Sequence, residues 1–201
     1  MKKIIYSLAV VVALVLTTET SKAQAWEKSS KVLALGIGGS SFFHIDKDYY
    51  DYYYGYYGYY GRRFPYSFLT GQLNLQGEFG VHDYVGVGFT TGIGGRAGWG
   101  WYSNGEVNMP IGAIANFHFY QLIADKTGKD IHSDKLDVYA GVNIGSGFAA
   151  VFRPYDNNRV IPIVWGGVQA GARYYFTDKF GVNLEVGYGK SIVNGGIVFK
   201  L

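Results

Sequence analysis

The sequence predicts an all-β fold, an eight-stranded antiparallel up-and-down transmembrane β-barrel with its apolar side chains outward and a polar lumen. Three observations predict it. Segments along the whole chain alternate between apolar residues and small or polar ones, the two-residue period of a strand. Charge is scarce, at 16% Asp, Glu, Lys and Arg, where soluble proteins carry roughly 25%. Glycine is abundant instead, with 30 residues in a chain of 201 that is also 18% aromatic.

The chain is long enough for one ordinary domain or one medium barrel. At its start Lys2 and Lys3 precede an apolar run from Ile4 to Leu16, followed by the small-residue pattern Ala23-Gln24-Ala25. This order predicts a secretory signal peptide over residues 1–25, cut after Ala25 with Ala23 as the other site, and a barrel domain over residues 26–201. Removing Lys2, Lys3, Lys22 and Glu19 takes the formal charge from +3 to +1, which argues against nucleic acid as a partner. There is no cysteine, so stability after export must come from something other than disulfides. No apolar run beyond Ala25 is long enough for a spanning helix, which leaves a closed sheet as the other structure that satisfies its own backbone in lipid.

The strands follow in order. "KVLALGIGGSS" is the first. In "SFLTGQLNLQGEF", Leu69, Leu73, Leu75 and Phe79 oppose Thr70, Gln72, Asn74, Gln76 and Glu78. "YVGVGFTTGIG" sets Val85, Val87, Phe89 and Ile93 against glycines and Thr90. "VNMPIGAIANFHFY" is the fourth and carries His118 inward beside Asn116. In "LDVYAGVNIGSGF", Val138, Ala140, Val142, Ile144 and Phe148 oppose Asp137, Tyr139, Asn143 and three glycines. "VWGGVQAGARYYF" places Gln169, Arg173 and Tyr175 opposite Val164, Val168, Tyr174 and Phe176. "FGVNLEVGYGK" separates Phe180, Val182, Leu184, Val186 and Tyr188 from Asn183, Glu185 and glycines, and "VNGGIVFKL" is the last. Polar faces built from Gly, Asn and Gln suit a narrow lumen better than the solvent face of a sandwich, where Lys and Glu dominate. Aromatics at strand ends, such as Tyr174, Phe176, Phe180 and Tyr188, fit membrane girdles.

Connections should alternate between long external loops and short periplasmic turns. Expected outside are residues 44–65, "RAGWGWYSNGE", "RPYDNNRV" and a brief "KSIVN"; expected periplasmic turns lie near Gly80 to Asp83 and Thr177 to Lys179. Gln121 to Lys135 is long for a periplasmic turn and has room for a short helical turn.

The wording of residues 136–201, with "GARYYFTDKFGV", "EVGYG" and a last strand that sets Val193, Ile197, Phe199 and Leu201 on one face, resembles the small eight-stranded outer-membrane β-barrel proteins of the OmpA, OmpX and OmpW kind, in a form common among Bacteroidetes. The resemblance implies insertion by the barrel assembly machinery, which reads an amphipathic last strand; here that strand ends in Leu201, with Phe199 two places earlier, where the family ends in an aromatic.

Two groups of residues are candidate sites. Nine of the 19 tyrosines, Tyr49, Tyr50, Tyr52, Tyr53, Tyr54, Tyr56, Tyr57, Tyr59 and Tyr60, crowd a stretch with no aliphatic residue, broken by glycines and followed by Arg62 and Arg63. As an extracellular loop these rings need no core, and Tyr offers wide contact area with a hydroxyl at small entropic cost, which suits contact with lipopolysaccharide, a glycan or a host protein. The other reading of this stretch is a low-complexity tether. The second group is the inward set Glu78, Arg173, Glu185 and Lys200, expected to pair inside the lumen and plug it.

No catalytic residue, metal or cofactor is expected. His118 reads as a satisfied interior histidine. His132-Ser133 are adjacent, which gives no triad geometry, and His44, Asp46 and Asp48 read as solvated turn residues. "GIGG" and "GVGFTTG" lack the strand-to-helix setting of a phosphate loop, and no cluster has zinc spacing. The function expected is a non-enzymatic structural or surface-interaction protein of the bacterial outer membrane. Its alternatives are a narrow channel or carrier for small or hydrophobic ligands and an outer-membrane lipid-modifying enzyme.

Overall fold

The computed structural model describes residues 24–40, 67–98, 105–128, 132–152 and 158–201. Eight strands form one closed sheet: β1 Lys31–Ser40, β2 Ser67–His82, β3 Val85–Gly98, β4 Gly105–Phe117, β5 Leu136–Phe152, β6 Arg159–Tyr175, β7 Phe180–Gly187 and β8 Ser191–Lys200. Every strand pairs antiparallel with its neighbours in sequence, and β1 closes the ring on β8 through pairs such as Leu35↔Ile197. Gln24, the first described residue, and Leu201 lie at one end, here called the terminal end, with the β2–β3, β4–β5 and β6–β7 connections. The other four connections lie at the far end.

Period two decides what faces where. Outward positions are apolar and bare: Ile37 is 68% exposed and Val164 83%, with Met109, Ile111, Ile144, Phe148 and Leu184 in the same belt. Inward positions carry Gln72, Asn74, Gln76 and Glu78 on β2, Asn143 on β5, Gln169 and Arg173 on β6, and Asn183 and Glu185 on β7, all buried. Among outward strand positions whose side chains are described, Lys31 at the terminal end is the one charge. This inversion is what a sheet solvated by hydrocarbon requires. Thr91, on the outer face, turns its hydroxyl to the Pro110 carbonyl at 3.0 Å, so the belt does not present it as an unpaired donor. At the terminal end Tyr174, Phe176, Phe180 and Phe199 form a chain of ring contacts with centroids 5.5 to 6.2 Å apart.

The wall is uneven. β5 and β6 each have 17 residues, while β7 has 8 and β1 and β8 have 10. A tilted strand crosses a bilayer in about 9–11 residues, so β5 and β6 are longer than a crossing requires, β1 and β8 are just long enough, and β7, beside β6, is slightly short.

Three sequence expectations are corrected. The fourth strand does not run through Tyr120: it stops at Phe117, and α1, Phe119–Thr127, begins directly after His118. His118 donates its backbone N–H to the Tyr84 carbonyl at 2.8 Å, the last rung of the β3–β4 ladder before the helix begins. The helix buries Gln121 and Ala124 and ends at Gly128, whose φ of 62° is the left-handed cap that glycine takes without strain. Gln121 and the exposed Tyr84 both donate to Asp125, at 2.9 and 3.0 Å, tying the helix to the β2–β3 turn and raising the Tyr84 hydroxyl above its ordinary pKa. Secondly, "KSIVN" is not a loop, because β8 begins at Ser191 and Lys190 turns into the lumen. Thirdly, the β2–β3 turn is shorter than expected: β2 runs on to His82 with a register irregularity after Gly80, leaving Asp83 and Tyr84.

Candidate functional site: a charged plug in the lumen

Four strands and connections deliver one ring of side chains to the terminal end of the lumen. Glu78 comes from the last third of β2, His118 from the residue after β4, Asp137 from the start of β5 and Arg173 from the end of β6. All four are at most 2% exposed. Arg173 donates through Nη1 to Asp137 Oδ2 at 3.2 Å and through Nη2 to Glu78 Oε2. On the opposite side His118 Nδ1 meets Asp137 Oδ1 at 2.7 Å and Nε2 meets Glu78 Oε1 at 2.9 Å. Each carboxylate therefore gives one oxygen to arginine and the other to histidine. With both carboxylates ionised they only accept, so both ring nitrogens of His118 then donate and the imidazole is cationic. Two anions and two cations close a neutral circuit, the arrangement in which buried charge is tolerable.

Two aromatic rings cover this circuit. Trp26, from the segment before β1, is fully buried and stacks on His118 with centroids 3.6 Å apart and planes 5° from parallel. The Arg173 guanidinium lies 4.3 Å from the centre of the Tyr139 ring and 5.9 Å from that of Trp26. Gly86 makes the space: a β-carbon there would stand 2.1 Å from Glu78 Oε1 and 2.7 Å from Trp26.

The Trp26 segment is stitched to the barrel. Ala25 donates its N–H to the Ser133 carbonyl at 2.8 Å, Ser29 donates to the Gly80 carbonyl at 2.8 Å, and Gly80 donates back to the Ser30 carbonyl at 2.8 Å. A side chain at Gly80 would meet the Glu27 carbonyl at 2.5 Å, so the close approach needs glycine. Packed with Trp26 are Ala25, Val32, Ala34, Tyr175 and Val198, an apolar cluster beside the ring of charges.

Of the four inward residues the sequence singles out, Glu78 and Arg173 meet directly. Glu185 does not join them: it pairs with Lys190 and accepts from the Tyr139 hydroxyl at 3.0 Å, while Lys190 also donates to Gln76 at 2.6 Å. Lys200 stands apart at the terminal mouth, half-buried, donating to the Gln24 carbonyl and lying 3.9 Å from Glu27. Residue parity places it inward, but it is the last residue of β8 and so sits beyond the plug. Asp137 and His118 were legible as inward residues, though not as members of this circuit. Lys190 was read as loop, and Trp26 carried no signal except its place after the leader. Tyr49 to Tyr60, Arg62 and Arg63 lie outside the described residues, as do His44, Asp46 and Asp48.

The middle and far lumen has a different character. Gln72 donates to Asn74 at 2.7 Å and Asn74 to Asn194 at 3.1 Å; Asn143 donates to Gln169 at 3.1 Å, which donates to Asn116 at 2.7 Å. Here Gln72 Oε1, Thr90 Oγ1, Asn108 Oδ1 and Asn143 Oδ1 have no protein partner, so these groups call for lumen water. In chemical terms the plug is a poor catalyst: both His118 nitrogens are engaged and one face of its ring is covered. His132 and Ser133 sit in the terminal-end turn, where the Ser133 carbonyl clasps Ala25. Among the described residues no three His, Asp or Glu side chains are grouped to hold a metal.

No family model and no curated protein matches the chain. Solved structures do. Ail, the attachment invasion locus protein of Yersinia pestis, aligns over 86% of this chain and 95% of its own at 12% identity, TM-score 0.46. The N-terminal β-barrel domain of Pseudomonas aeruginosa OprF aligns over 88% and 99% at 14% identity, TM-score 0.46. The outer membrane protein OprG from Pseudomonas aeruginosa aligns over 89% and 95% at 10% identity, TM-score 0.48. All three are small eight-stranded outer-membrane barrels. The likeness is one of fold. At such identities it says nothing of ligand or activity.

Proposed function

We propose that this chain is an outer-membrane barrel protein with a structural or surface-interaction role, exported through the periplasm and inserted by the barrel assembly machinery. The observation that carries the proposal is the inversion of the sheet, with an apolar outer belt around a lumen that holds buried ion pairs. In water such a surface would aggregate, since it far exceeds the isolated apolar residues a soluble monomer exposes. The terminal end faces the periplasm, and the far-end connections, including residues 44–65, face outward. With the lumen closed by its own side chains, specificity resides in those connections, and the Tyr-rich stretch with Arg62 and Arg63 is the contact surface for lipopolysaccharide, a glycan or a protein.

Deleting Tyr49 to Tyr60 tests the role of the loop. The expected result is a barrel that still assembles and shows the usual heat-dependent gel shift, with loss of binding to lipopolysaccharide or to cells. Unchanged binding would leave the stretch a tether. A processed chain that is monomeric in water without detergent would overturn the membrane reading itself. The plug also argues against a conduit, so planar bilayers holding the purified barrel should show no steady single-channel steps.

A further inference from the structure

The leader of this chain offers two peptide bonds with small residues one and three places before them: Ala23–Gln24, preceded by Ser21 and Ala23, and Ala25–Trp26, preceded by Ala23 and Ala25. Sequence alone favours neither strongly, and the folded barrel distinguishes them. Gln24 is exposed, whereas Ala25 is 2% exposed and Trp26 fully buried. Both residues that the later cut would remove are used in the fold. Ala25 donates its N–H to the Ser133 carbonyl at 2.8 Å and packs with Trp26, Val32 and Val198, and the Gln24 carbonyl accepts from Lys200.

We infer that the export peptidase hydrolyses the Ala23–Gln24 bond, so that the mature chain begins at Gln24 and its third residue, Trp26, is the stopper of the plug. Water adds across that amide, leaving a carboxylate on Ala23 and an ammonium on Gln24. The new charge then sits on an exposed residue at the mouth. The cut after Ala25 instead creates an ammonium on the Trp26 nitrogen, in a fully buried residue whose ring already lies against the cationic His118 and near Arg173. An amine on a buried residue is disfavoured by desolvation. It also deletes two of the contacts that hold the stopper in place. The inference needs export of the chain but not the surface role proposed above.

The test is mass-spectrometric identification of the N-terminal peptide of protein extracted from membranes of cells expressing the full precursor. The expected peptide begins at Gln24. One beginning at Trp26, or a chain that retains its leader, overturns the inference. Ser21→Glu supplies a second measurement, because it places a charge three residues before the proposed bond, leaves Ala23 and Ala25 untouched, and is absent from the mature barrel. Loss of the wild-type N-terminal peptide is expected, with the protein left as precursor or shifted to a chain beginning at Trp26; an unchanged N-terminal peptide overturns the proposal. The stability of the barrel is a third readout. Protein refolded from a chain starting at Trp26 should melt at a lower temperature than one starting at Gln24, and equal midpoints would show that the two residues contribute nothing to the plug.

Discussion

The two halves of the lumen solve the same problem in different ways. At the terminal end, Glu78, His118, Asp137 and Arg173 are fully buried charges that tolerate burial because each bond in the circuit joins opposite signs. Toward the far end neutral amides, linked in short chains and left with several carbonyl oxygens for water, share the lumen with Glu106 and the Glu185–Lys190 pair. Burial of an unpaired charge is far more costly than burial of an unpaired amide. The terminal end is therefore an all-or-none device, while the far half tolerates change. Even the plug is not fully satisfied, since Arg173 Nε and Trp26 Nε1 lack protein hydrogen-bond partners.

The contrast can be broken by mutation, in descending order of effect. Arg173→Met leaves Glu78 and Asp137 with only His118 between them, an excess of one buried negative charge, and is expected to destabilise the barrel by about 3–5 kcal/mol. Denaturant unfolding in detergent micelles measures this, and the double change Arg173→Met, Glu78→Gln should recover much of the loss because Asp137 and His118 then balance each other. Trp26→Ala removes a fully buried ring from the face of His118 and should cost about 3 kcal/mol; ion flux through the terminal mouth, absent in the parent, would show whether the ring is also a seal. Lys190→Met strips Glu185 of its cation but leaves the Tyr139 hydroxyl, so a smaller loss of about 1–3 kcal/mol is expected in the same unfolding assay. Asn108→Leu lies in the far half and removes an oxygen with no protein partner, with an expected change below about 1 kcal/mol. A cost at Asn108 equal to that at Arg173 would erase the distinction between the halves.

Much of the barrel was legible because its strands announce themselves locally. Val182, Leu184 and Val186 against Asn183 and Glu185 need no knowledge of any other strand to be assigned to opposite faces. The point where β4 ends was not legible in this way. Asn116, Phe117, His118, Phe119 and Tyr120 keep an alternating appearance across the boundary, but the last rung of the ladder joins His118 to Tyr84, 34 residues earlier in the chain, and α1 starts at the next residue. The same limit explains the inward lysines. Lys200 and Lys190 look alike on paper, one in a final strand and one after a glycine, yet Lys200 ends at the mouth and Lys190 reaches inward to Glu185.

By itself, then, the sequence determined the number of strands, their antiparallel order and which residues face in or out, because side-chain alternation is a property of each strand alone. Only the tertiary structure decided which inward charges meet. Glu78 and Arg173 are 95 residues apart, and their contact depends on how far each strand slides past the next as the sheet closes from β8 to β1. That stagger sets the height of every side chain along the barrel axis, and it is a property of the closed ring, not of any segment within it.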